Sequence, residues 1–289
     1  MDARLRYDVR SYLQEEGNTT DKARLIAAGY DDSKETRSEV LSKIQSSMRR
    51  DGGIPFNYNP NAPSSVKGSA EFLTLTAGLK EFNEIHNRMS RFLVSRQKKD
   101  GGFAELLALD PYIEDKWGSS GGRDWYPVVK SLTWLTGKAL RALVLAGHDD
   151  RQRHLRARDF LVYSQNEDGY WPDFKGQNIS DPLATGNILE GLIAVGVPPD
   201  HKVYKDGRAA LMQHLMRSLK NRSLFDMADL PAMGKPESKI ESELIREGVQ
   251  FIVDSQQQDG GWSPLGTKKS DPELSSKMAH VVKRCEEYV

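Results

Sequence analysis

The chain has few of the features that mark secreted and membrane-spanning proteins. It contains one cysteine, Cys285, among 289 residues, so no disulfide can form within the chain, which fits a reducing compartment. No stretch approaches the roughly 18–20 apolar residues that a transmembrane helix requires. Residues 1–16 carry charges instead of the apolar run of a signal peptide. We therefore expect a cytoplasmic protein without a transmembrane segment.

Charge of either sign is not in excess, since Lys and Arg together number 41 and Asp and Glu together also number 41. Neutralising nucleic-acid phosphates requires a basic excess or stripe, so no nucleic-acid partner is expected. The six histidines show no metal-binding spacing such as His-x-x-x-His. No glycine-rich phosphate loop with a following Lys-Ser or Lys-Thr is present. The sequence thus predicts neither a metal nor another cofactor.

A short pattern recurs along the chain. In three copies an aromatic residue precedes a glutamine by five positions, and the glutamine precedes the aspartate of an Asp-Gly turn by three. These copies are Phe92, Gln97, Asp100, Gly101, Gly102 and Phe103; Phe160, Gln165, Asp168, Gly169, Tyr170 and Trp171; and Phe251, Gln256, Asp259, Gly260, Gly261 and Trp262. A degenerate copy consists of Ile44, Met48, Asp51, Gly52, Gly53 and Ile54, with methionine at the glutamine position.

The residue types in this pattern predict its structure. A glycine that adopts the left-handed conformation ends a helix, so the Asp-Gly step marks a helix end. The glutamine side chain is expected to bond the backbone of the turn. The aromatic residue beyond the turn is expected to fold back onto the apolar face of the helix. The turn aspartates are expected to have a structural role in the turn. A second helix follows each copy, and two of these second helices begin with an Asp-Pro step at Asp181 and Asp271. Small residues near the start of three of them favour close packing, and they are Ala77 and Gly78, Thr136 and Gly137, and Thr185 and Gly186.

Hydrophobic periodicity predicts about eleven helices and no convincing strand, hence an all-α protein of alternating outer and inner helices. The predicted helices are 2–16, 20–29, 35–50, 67–82, 84–98, 126–146, 151–166, 181–196, 203–221, 239–257 and 271–287. The longer connections are 52–66, 101–125, 167–180 and 222–238. Three of these four follow Asp-Gly turns, so we expect them at one end of the fold, where a site would form. Residues 1–34 are expected to form N-terminal helices that pack on the repeats of 35–289.

Counted along the chain, the degenerate copy is the first and the copy around Gln165 is the third. This third copy carries a resemblance to a known family. Its segment Arg156-Ala157-x-x-Phe160-Leu161-x-x-x-Gln165-x-x-x-Gly169-x-Trp171 matches the QW motif of the squalene–hopene and oxidosqualene cyclases. Over roughly residues 40–289 the chain resembles these terpenoid cyclases and, more broadly, the protein prenyltransferase-like α/α toroids. The resemblance implies an α/α toroid of paired inner and outer helices, with an isoprenoid or similar apolar substrate in a central cavity.

The chain departs from the catalytic motifs of these relatives. Class II cyclases use Asp-x-Asp-Asp-Thr, whose central Asp donates the proton; the nearest stretch here, Asp181-Pro182-Leu183-Ala184-Thr185, has Leu183 and Ala184 in place of two acids. Gly121-Gly122-Arg123-Asp124-Trp125-Tyr126 resembles the zinc site of prenyltransferases, but Pro127 stands where a histidine ligand is needed. The resemblance therefore implies the fold more specifically than the chemistry.

Asp124 is the strongest candidate acid, because it lies in a glycine-rich loop between Trp117 and Trp134, and aromatic walls raise the pKa of a carboxyl group. Asp181 is the second candidate. Capping a helix or bracing a loop is the alternative role for both. Aromatic faces stabilise carbocations, stack on sugars or pack as core. The predicted substrate-binding residues are Trp117, Arg123, Trp125, Tyr126, Lys130, Trp134 and Asn187.

Three functions remain open on the sequence alone. The first is a terpenoid-cyclase-like protein that binds or transforms an isoprenoid, with Asp124 and Asp181 as acids. The second is a sugar-active, polysaccharide lyase-like enzyme that uses the 117–130 region as its cleft. The third is a non-catalytic toroid that binds a protein or a small molecule. The partner expected for an enzyme is a small-molecule substrate.

Overall fold

The computed structural model describes residues 5–119, 121 and 123–289. Within these residues the helices are α1 (Val9–Glu16), α2 (Thr19–Ala27), α3 (Lys34–Ser47), α4 (Val66–Thr76), α5 (Asn83–Arg96), α6 (Asp110–Trp117), α7 (Thr133–Leu145), α8 (Arg151–Val162), α9 (Pro182–Ala194), α10 (Lys202–Lys220), α11 (Lys239–Asp254) and α12 (Pro272–Cys285). The extended structure consists of β1 (Ile54–Pro55), which pairs antiparallel with β2 (Ser64–Ser65), and a few single-residue bridges. The predicted all-α class is confirmed.

The chain divides into two compact units. One comprises Met1–Ser42 with Leu211–Val289, and the other comprises Lys43–Ala210. In the first unit α12 packs against α1, α2 and α11, and in the second α7 packs between α4 and α9. The sequence-based boundary between residues 34 and 35 stays a prediction.

Helices α7 and α9 approach each other closely through two glycines. A Cβ atom on Gly137 would lie 2.5 Å from the carbonyl oxygen of Asn187, and one on Gly191 would lie 2.6 Å from the carbonyl oxygen of Gly137. Both distances are shorter than any real Cβ contact, so the backbones can meet only because these side chains are absent. The prediction of close packing is thus confirmed at Gly137, whereas a Cβ on Gly78 would meet nothing within 4 Å.

The repeated turns use the glutamine as predicted. In each full copy the glutamine Nε2 donates to the carbonyl of the turn glycine and to a carbonyl of another segment. Gln97 bonds Gly101 and Arg153 (3.0 and 3.0 Å), Gln165 bonds Gly169 and Val203 (2.9 and 2.9 Å), and Gln256 bonds Gly260 and Tyr7 (2.9 and 3.0 Å). The turn glycine is left-handed, with φ 92° at Gly101, and a Cβ there would lie 2.2 Å from the carbonyl oxygen of Arg156. Only glycine fits this position.

The turn aspartates are structural, as predicted. Each accepts a hydrogen bond from the backbone N–H two residues later and another from a serine hydroxyl just before the next helix. The pairs are Asp51 with Ser64 (2.6 Å), Asp100 with Ser131 (2.9 Å), Asp168 with Ser180 (3.0 Å) and Asp259 with Ser270 (2.9 Å). Trp171 and Trp262 fold back as predicted, since both are fully buried and donate from Nε1 to Leu161 O and Ile252 O at 2.7 Å.

Several predicted boundaries are wrong. The helix predicted over 126–146 begins only at Thr133, because Pro127 lacks an N–H and Val129 has φ 70°, a left-handed conformation that no helix tolerates. Helix α6 lies in the predicted loop 101–125, and Asp226–Met233 form a 3₁₀ helix in the predicted loop 222–238. The helix predicted over 2–16 begins at Val9, where Asp8 caps it; residues 2–4 lie outside the described part of the chain.

Across the ranges that the structure describes, no helix is both long enough and apolar enough to cross a bilayer.

Candidate functional site

The loop between α6 and α7 carries most of the predicted site residues, and Arg123 holds it in shape. The Arg123 side chain is 1% exposed. Its Nε donates to Gly118 O (3.0 Å), its Nη1 donates to Tyr126 O (2.9 Å), and its Nη2 pairs with the carboxylate of Asp110. Arg123 thus links the start and the middle of the loop to Asp110, the first residue of α6. Its predicted direct contact with a substrate stays a prediction, and Gly122 of the same motif lies outside the described residues.

Tyr126 is fully buried, and its hydroxyl donates to Glu105 Oε1 at 2.8 Å. The Glu105 carboxylate is 2% exposed and also accepts from Ser65 Oγ, Val66 N and Lys67 N, the start of α4. Burial raises the pKa of Glu105, and these hydrogen bonds oppose the rise. Burial and the adjacent Glu105 charge raise the pKa of Tyr126. Tyr126 therefore joins the loop to α4.

The predicted aromatic residues meet in one group, which we call the aromatic cluster and which consists of Phe56, Trp117, Trp125, Tyr126 and Trp134. The ring of Trp117 lies edge-on to Phe56, Trp125 and Tyr126 with centroids 5.5–5.6 Å apart. Trp125 stacks on Tyr126 at 5.4 Å, and Trp134 lies 5.0 Å from Tyr126. Trp134 Nε1 donates to Trp125 O at 3.2 Å. Trp125 is 36% exposed, so the cluster presents one aromatic ring to solvent.

Lysine side chains border this cluster. The ammonium groups of Lys116 and Lys67 lie 4.7 and 5.4 Å from the centroid of the Trp117 ring. The ammonium group of Lys130, a predicted substrate-binding residue, lies 4.3 Å from the Phe174 ring. Ring faces that hold cations in this way are also the faces that stabilise a carbocation.

Three carboxyl groups interact near the start of α7, and we call Asp124, Asp173 and Asp181 the carboxylate group. Asp173 is 6% exposed. Its pKa is raised to about 8 by burial, by the charge of Asp181, by a hydrogen bond shared with the Asp181 carboxyl and by the charge of Asp124. Asp181 also caps α9, as predicted, by accepting from Leu183 N at 2.9 Å. This raised pKa favours the protonated form of Asp173 at neutral pH, and both predicted acids contribute to it.

Backbone hydrogen bonds hold Asp173 beside the aromatic cluster. Thr133 N donates to Asp173 O at 2.8 Å, and Thr133 immediately precedes Trp134. Asp181 N donates to Trp171 O at 2.7 Å, which closes the loop that carries Asp173. Asp124 directly precedes Trp125 in the chain, so a second acid is linked to the aromatic cluster through the backbone.

Asp173 was missed in the sequence analysis, although a signal was present. It stands two residues after Trp171, the aromatic residue of the third turn, and Glu105 stands two residues after Phe103 in the second copy. Both acids are buried. Glu105 accepts from four donors, whereas Asp173 Oδ1 is buried without a hydrogen-bond partner among the described residues. The sequence signal is an acid two residues after the turn aromatic in both copies. Asp173 differs from Glu105 because its Oδ1 has no described donor.

Thr185 shows a second departure in the same copy. The hydroxyls at the matching position of the other copies accept a backbone N–H, with Ser69 bonding Ile54 N (2.9 Å), Thr136 bonding Phe103 N (2.9 Å) and Ser275 bonding Trp262 N (2.7 Å). Thr185 is fully buried, and its Oγ1 has no partner in the described part of the chain. Thr185 is the fourth residue of α9, the helix that Asp181 caps. The third copy thus keeps two buried oxygens available.

Asn187 lies further along α9, where its Nδ2 is 3.4 Å from Leu183 O and its backbone meets Gly137. The structure therefore brings together Trp117, Trp125, Tyr126 and Trp134, joins Asp124 and Asp181 through Asp173, and places Asn187 in the α7–α9 contact. Among the residues with described positions, no three His, Cys, Asp or Glu side chains are arranged to hold a metal ion.

No family model and no curated protein matches the chain, but solved structures do. The type II terpene cyclase MstE from Scytonema, in complex with geranylgeranyl dihydroxybenzoate, matches with TM-score 0.66 and 15% identity over 93% of this chain and 86% of that one. Cellobiose 2-epimerase from Spirochaeta thermophila matches with TM-score 0.63 and 11% identity over 93% and 85%. The ent-copalyl diphosphate synthase from Streptomyces platensis matches with TM-score 0.57 and 17% identity over 93% and 50%. The chain has the all-α, α/α toroid fold class of these proteins.

Proposed function

We propose that the chain is a terpenoid-cyclase-like protein that binds an isoprenoid or similar apolar alkene against the aromatic cluster and protonates it from Asp173. The observation that carries the proposal is the buried Asp173 carboxyl, whose pKa is raised to about 8 and whose backbone carbonyl accepts from Thr133 N, next to Trp134 in the chain. The QW-type identity of the repeats belongs to the same proposal.

The chemistry needs an acid that is protonated before the substrate arrives. The Asp173 O–H bond breaks, its proton forms a C–H bond with one alkene carbon, and the other alkene carbon becomes a cation. The Trp125 and Trp134 ring faces stabilise that cation. A second double bond of the same substrate then closes a ring, and loss of a proton to water restores neutrality. Asp124 and Asp181 act through Asp173, because their negative charges oppose its ionisation.

This assignment accounts for the altered Asp-x-Asp-Asp-Thr stretch. Leu183 and Ala184 remove the usual proton donor, and Asp173 supplies a carboxylic acid from the preceding loop. Asp181, the retained first residue of that stretch, is the partner that raises the Asp173 pKa. The retained threonine, Thr185, keeps a buried hydroxyl available to a bound molecule or to water.

The proposal is tested by incubating the protein in D₂O with squalene, geranylgeraniol and geranylgeranyl dihydroxybenzoate, followed by mass spectrometry. Protonation from Asp173 incorporates one deuterium at carbon into a cyclised isomer. The Asp173→Asn variant should form no such product. Asp271→Asn is the matched control, because Asp271 caps α12 as Asp181 caps α9 but is not one of the charged groups that act on Asp173. Product formation that persists in Asp173→Asn would overturn the proposal.

A sugar substrate is the second candidate, favoured by the likeness to cellobiose 2-epimerase and by the exposed Trp125 ring, since an aromatic face also stacks on a sugar. Thermal-shift measurements with cellobiose and uronate oligomers separate the two functions. Stabilisation by a sugar and by none of the isoprenoids would favour the second candidate. Stabilisation by an isoprenoid without product formation would favour a non-catalytic binding protein.

A further inference from the structure

A groove of about 890 Å³ lies between the end of α3 and the loop that joins β1 to β2. Basic side chains line it on the α3 side, and a tyrosine and prolines line it on the loop side. The residues that matter here are Lys43, Arg49, Arg50, Tyr58, Pro60 and Pro63. None of the lining residues belongs to the aromatic cluster or the carboxylate group.

The groove carries an excess of positive charge. Lys43, Arg49 and Arg50 form no ion pair with any residue whose position is described. The acid in the lining, Asp51, is already engaged, since it accepts from Gly53 N at 3.1 Å and from Ser64 Oγ at 2.6 Å. The carbonyl end of α3 contributes a partial negative charge of only about half a unit. An anion is therefore the ligand that this charge distribution favours.

The loop side of the groove is held in an unusual conformation. Asn57 and Tyr58 are consecutive left-handed residues with φ 50° and 57°, a conformation that asparagine adopts readily and that is uncommon for tyrosine. Arg49 Nη1 donates to Pro60 O at 2.7 Å and so fixes the loop across the groove. Strain of this kind persists where the surrounding structure enforces it, often at binding sites.

Comparison of the copies shows what is particular to this one. The second copy has Lys98 and Lys99 at the positions of Arg49 and Arg50, but its glutamine, Gln97, bonds one carbonyl of the turn and one of α8. In the first copy Met48 occupies the glutamine position and lines the groove. Basic residues at the turn are thus shared by two copies, whereas the Tyr58 and proline wall belongs to the first.

We propose that this groove binds a phosphorylated small molecule, which is a function beyond the isoprenoid chemistry of the aromatic cluster. Two guanidinium groups and an ammonium group suit the several oxygens of a phosphate better than a single carboxylate. The organic part of the ligand lies on Tyr58 and the prolines. The volume lies within the range of small-molecule sites, roughly 300–1,000 Å³.

The test is calorimetric titration with inorganic pyrophosphate and with phenyl phosphate at constant ionic strength. The Lys43→Gln/Arg50→Gln variant should weaken binding of both probes by about tenfold or more, the loss expected for charge-assisted hydrogen bonds. Lys98→Gln/Lys99→Gln removes the same charge at the second copy and should change affinity less than about twofold. Tyr58→Ala should weaken phenyl phosphate more than pyrophosphate.

Either of two results would overturn the proposal. One is that neither probe binds the unaltered protein. The other is that both double variants weaken binding equally, which would show attraction to net charge only. Because Lys43 and Arg50 lie outside the aromatic cluster, isoprenoid turnover should be unchanged in their double variant. Failure of this proposal is thus distinguishable from failure of the cyclase proposal.

Discussion

The Asp181 carboxyl raises the pKa of the buried Asp173 carboxyl, although Asp181 also caps α9 with its side chain. The start of α9 thus holds Asp181 in position, and Asp173 is the buried residue of the pair. Two carboxyl groups this close retain a proton, because both cannot ionise cheaply in a buried site. The proposed chemistry depends on that proton.

Turnover should fall as the pH rises through about 8, the pKa of Asp173, because the protonated form is the active one. Asp173→Asn should reduce turnover by at least about 100-fold, the usual contribution of a general acid. A pH–rate profile of cyclised product measures both. A flat profile between pH 6 and pH 10 would count against Asp173 as the donor.

The free energy of unfolding should depend on pH in the opposite sense to that expected for an ion-paired aspartate, whose pKa is lowered on folding. The folded-state pKa of Asp173 is raised from 3.8 to about 8, so the folded protein holds a proton that the unfolded chain has released. Stability from this group is therefore greatest below pH 4 and is lost as pH rises towards 8. Asp173→Asn should flatten this dependence and raise Tm relative to the unaltered protein at pH 9. Thermal denaturation at several pH values checks this, with Asp271→Asn as control.

Thr185→Val should leave stability unchanged or raise it by about 1 kcal/mol, because the Thr185 hydroxyl is buried without a described partner. Thr136→Val should cost about 1–3 kcal/mol, since Thr136 accepts from Phe103 N and donates to Leu132 O. Urea denaturation compares the two. If the Thr185 hydroxyl contacts a ligand, Thr185→Val should also weaken isoprenoid binding at undiminished stability. Equal destabilisation by both changes would contradict the contrast between the copies.

Gly137→Ala should be strongly destabilising, by about 2 kcal/mol or more, because its Cβ would lie 2.5 Å from Asn187 O and force α7 away from α9. Gly78→Ala is the matched control, since the added Cβ meets nothing within 4 Å and should change stability by less than about 1 kcal/mol. Chemical denaturation of both variants gives the comparison. A near-neutral Gly137→Ala would show that the helices separate easily.

Trp125→Ala should weaken ligand binding with little loss of stability, because its ring is 36% exposed at the edge of the aromatic cluster. Trp171→Ala should instead destabilise the fold by about 3–5 kcal/mol, since Trp171 is fully buried and loses its bond to Leu161 O. Thermal shift with and without geranylgeraniol separates the two effects. Unchanged affinity in Trp125→Ala would remove this ring from the site.

The repeat was predictable because its interactions are short in sequence. Gln165 bonds the carbonyl of Gly169, and Asp168 bonds the N–H of Tyr170, so residue type and spacing suffice to predict both contacts. The helix start at Asp181 was predictable for the same reason, since a cap depends on one residue and its neighbours. The close packing at Gly137 was predicted from the small side chain alone, and its partner on α9 was not.

The acid at the site was not predictable in this way. The pKa of Asp173 depends on Asp181 and Asp124, which lie 8 and 49 residues away and are brought near it only by the packing of the loops around α7. The start of the predicted helix 126–146 was placed too early, because a tertiary contact imposes the left-handed conformation of Val129 against its own preference. The Val129 N–H bonds Glu105 O at 2.9 Å.

The bond between Gln256 Nε2 and Tyr7 O can form only after the corresponding bonds of Gln97 and Gln165 have become possible during synthesis. The equivalent bonds of Gln97 and Gln165 span 56 and 38 residues, whereas this one spans 249. At ribosomal rates of roughly 5–20 residues per second, the segment around Tyr7 waits on the order of tens of seconds for its partner. The other glutamine turns close while the chain is still being made. The bond from the fourth turn to Tyr7 can form only after Gln256 has been synthesised, so a chain truncated before Gln256 leaves the segment around Tyr7 without this partner.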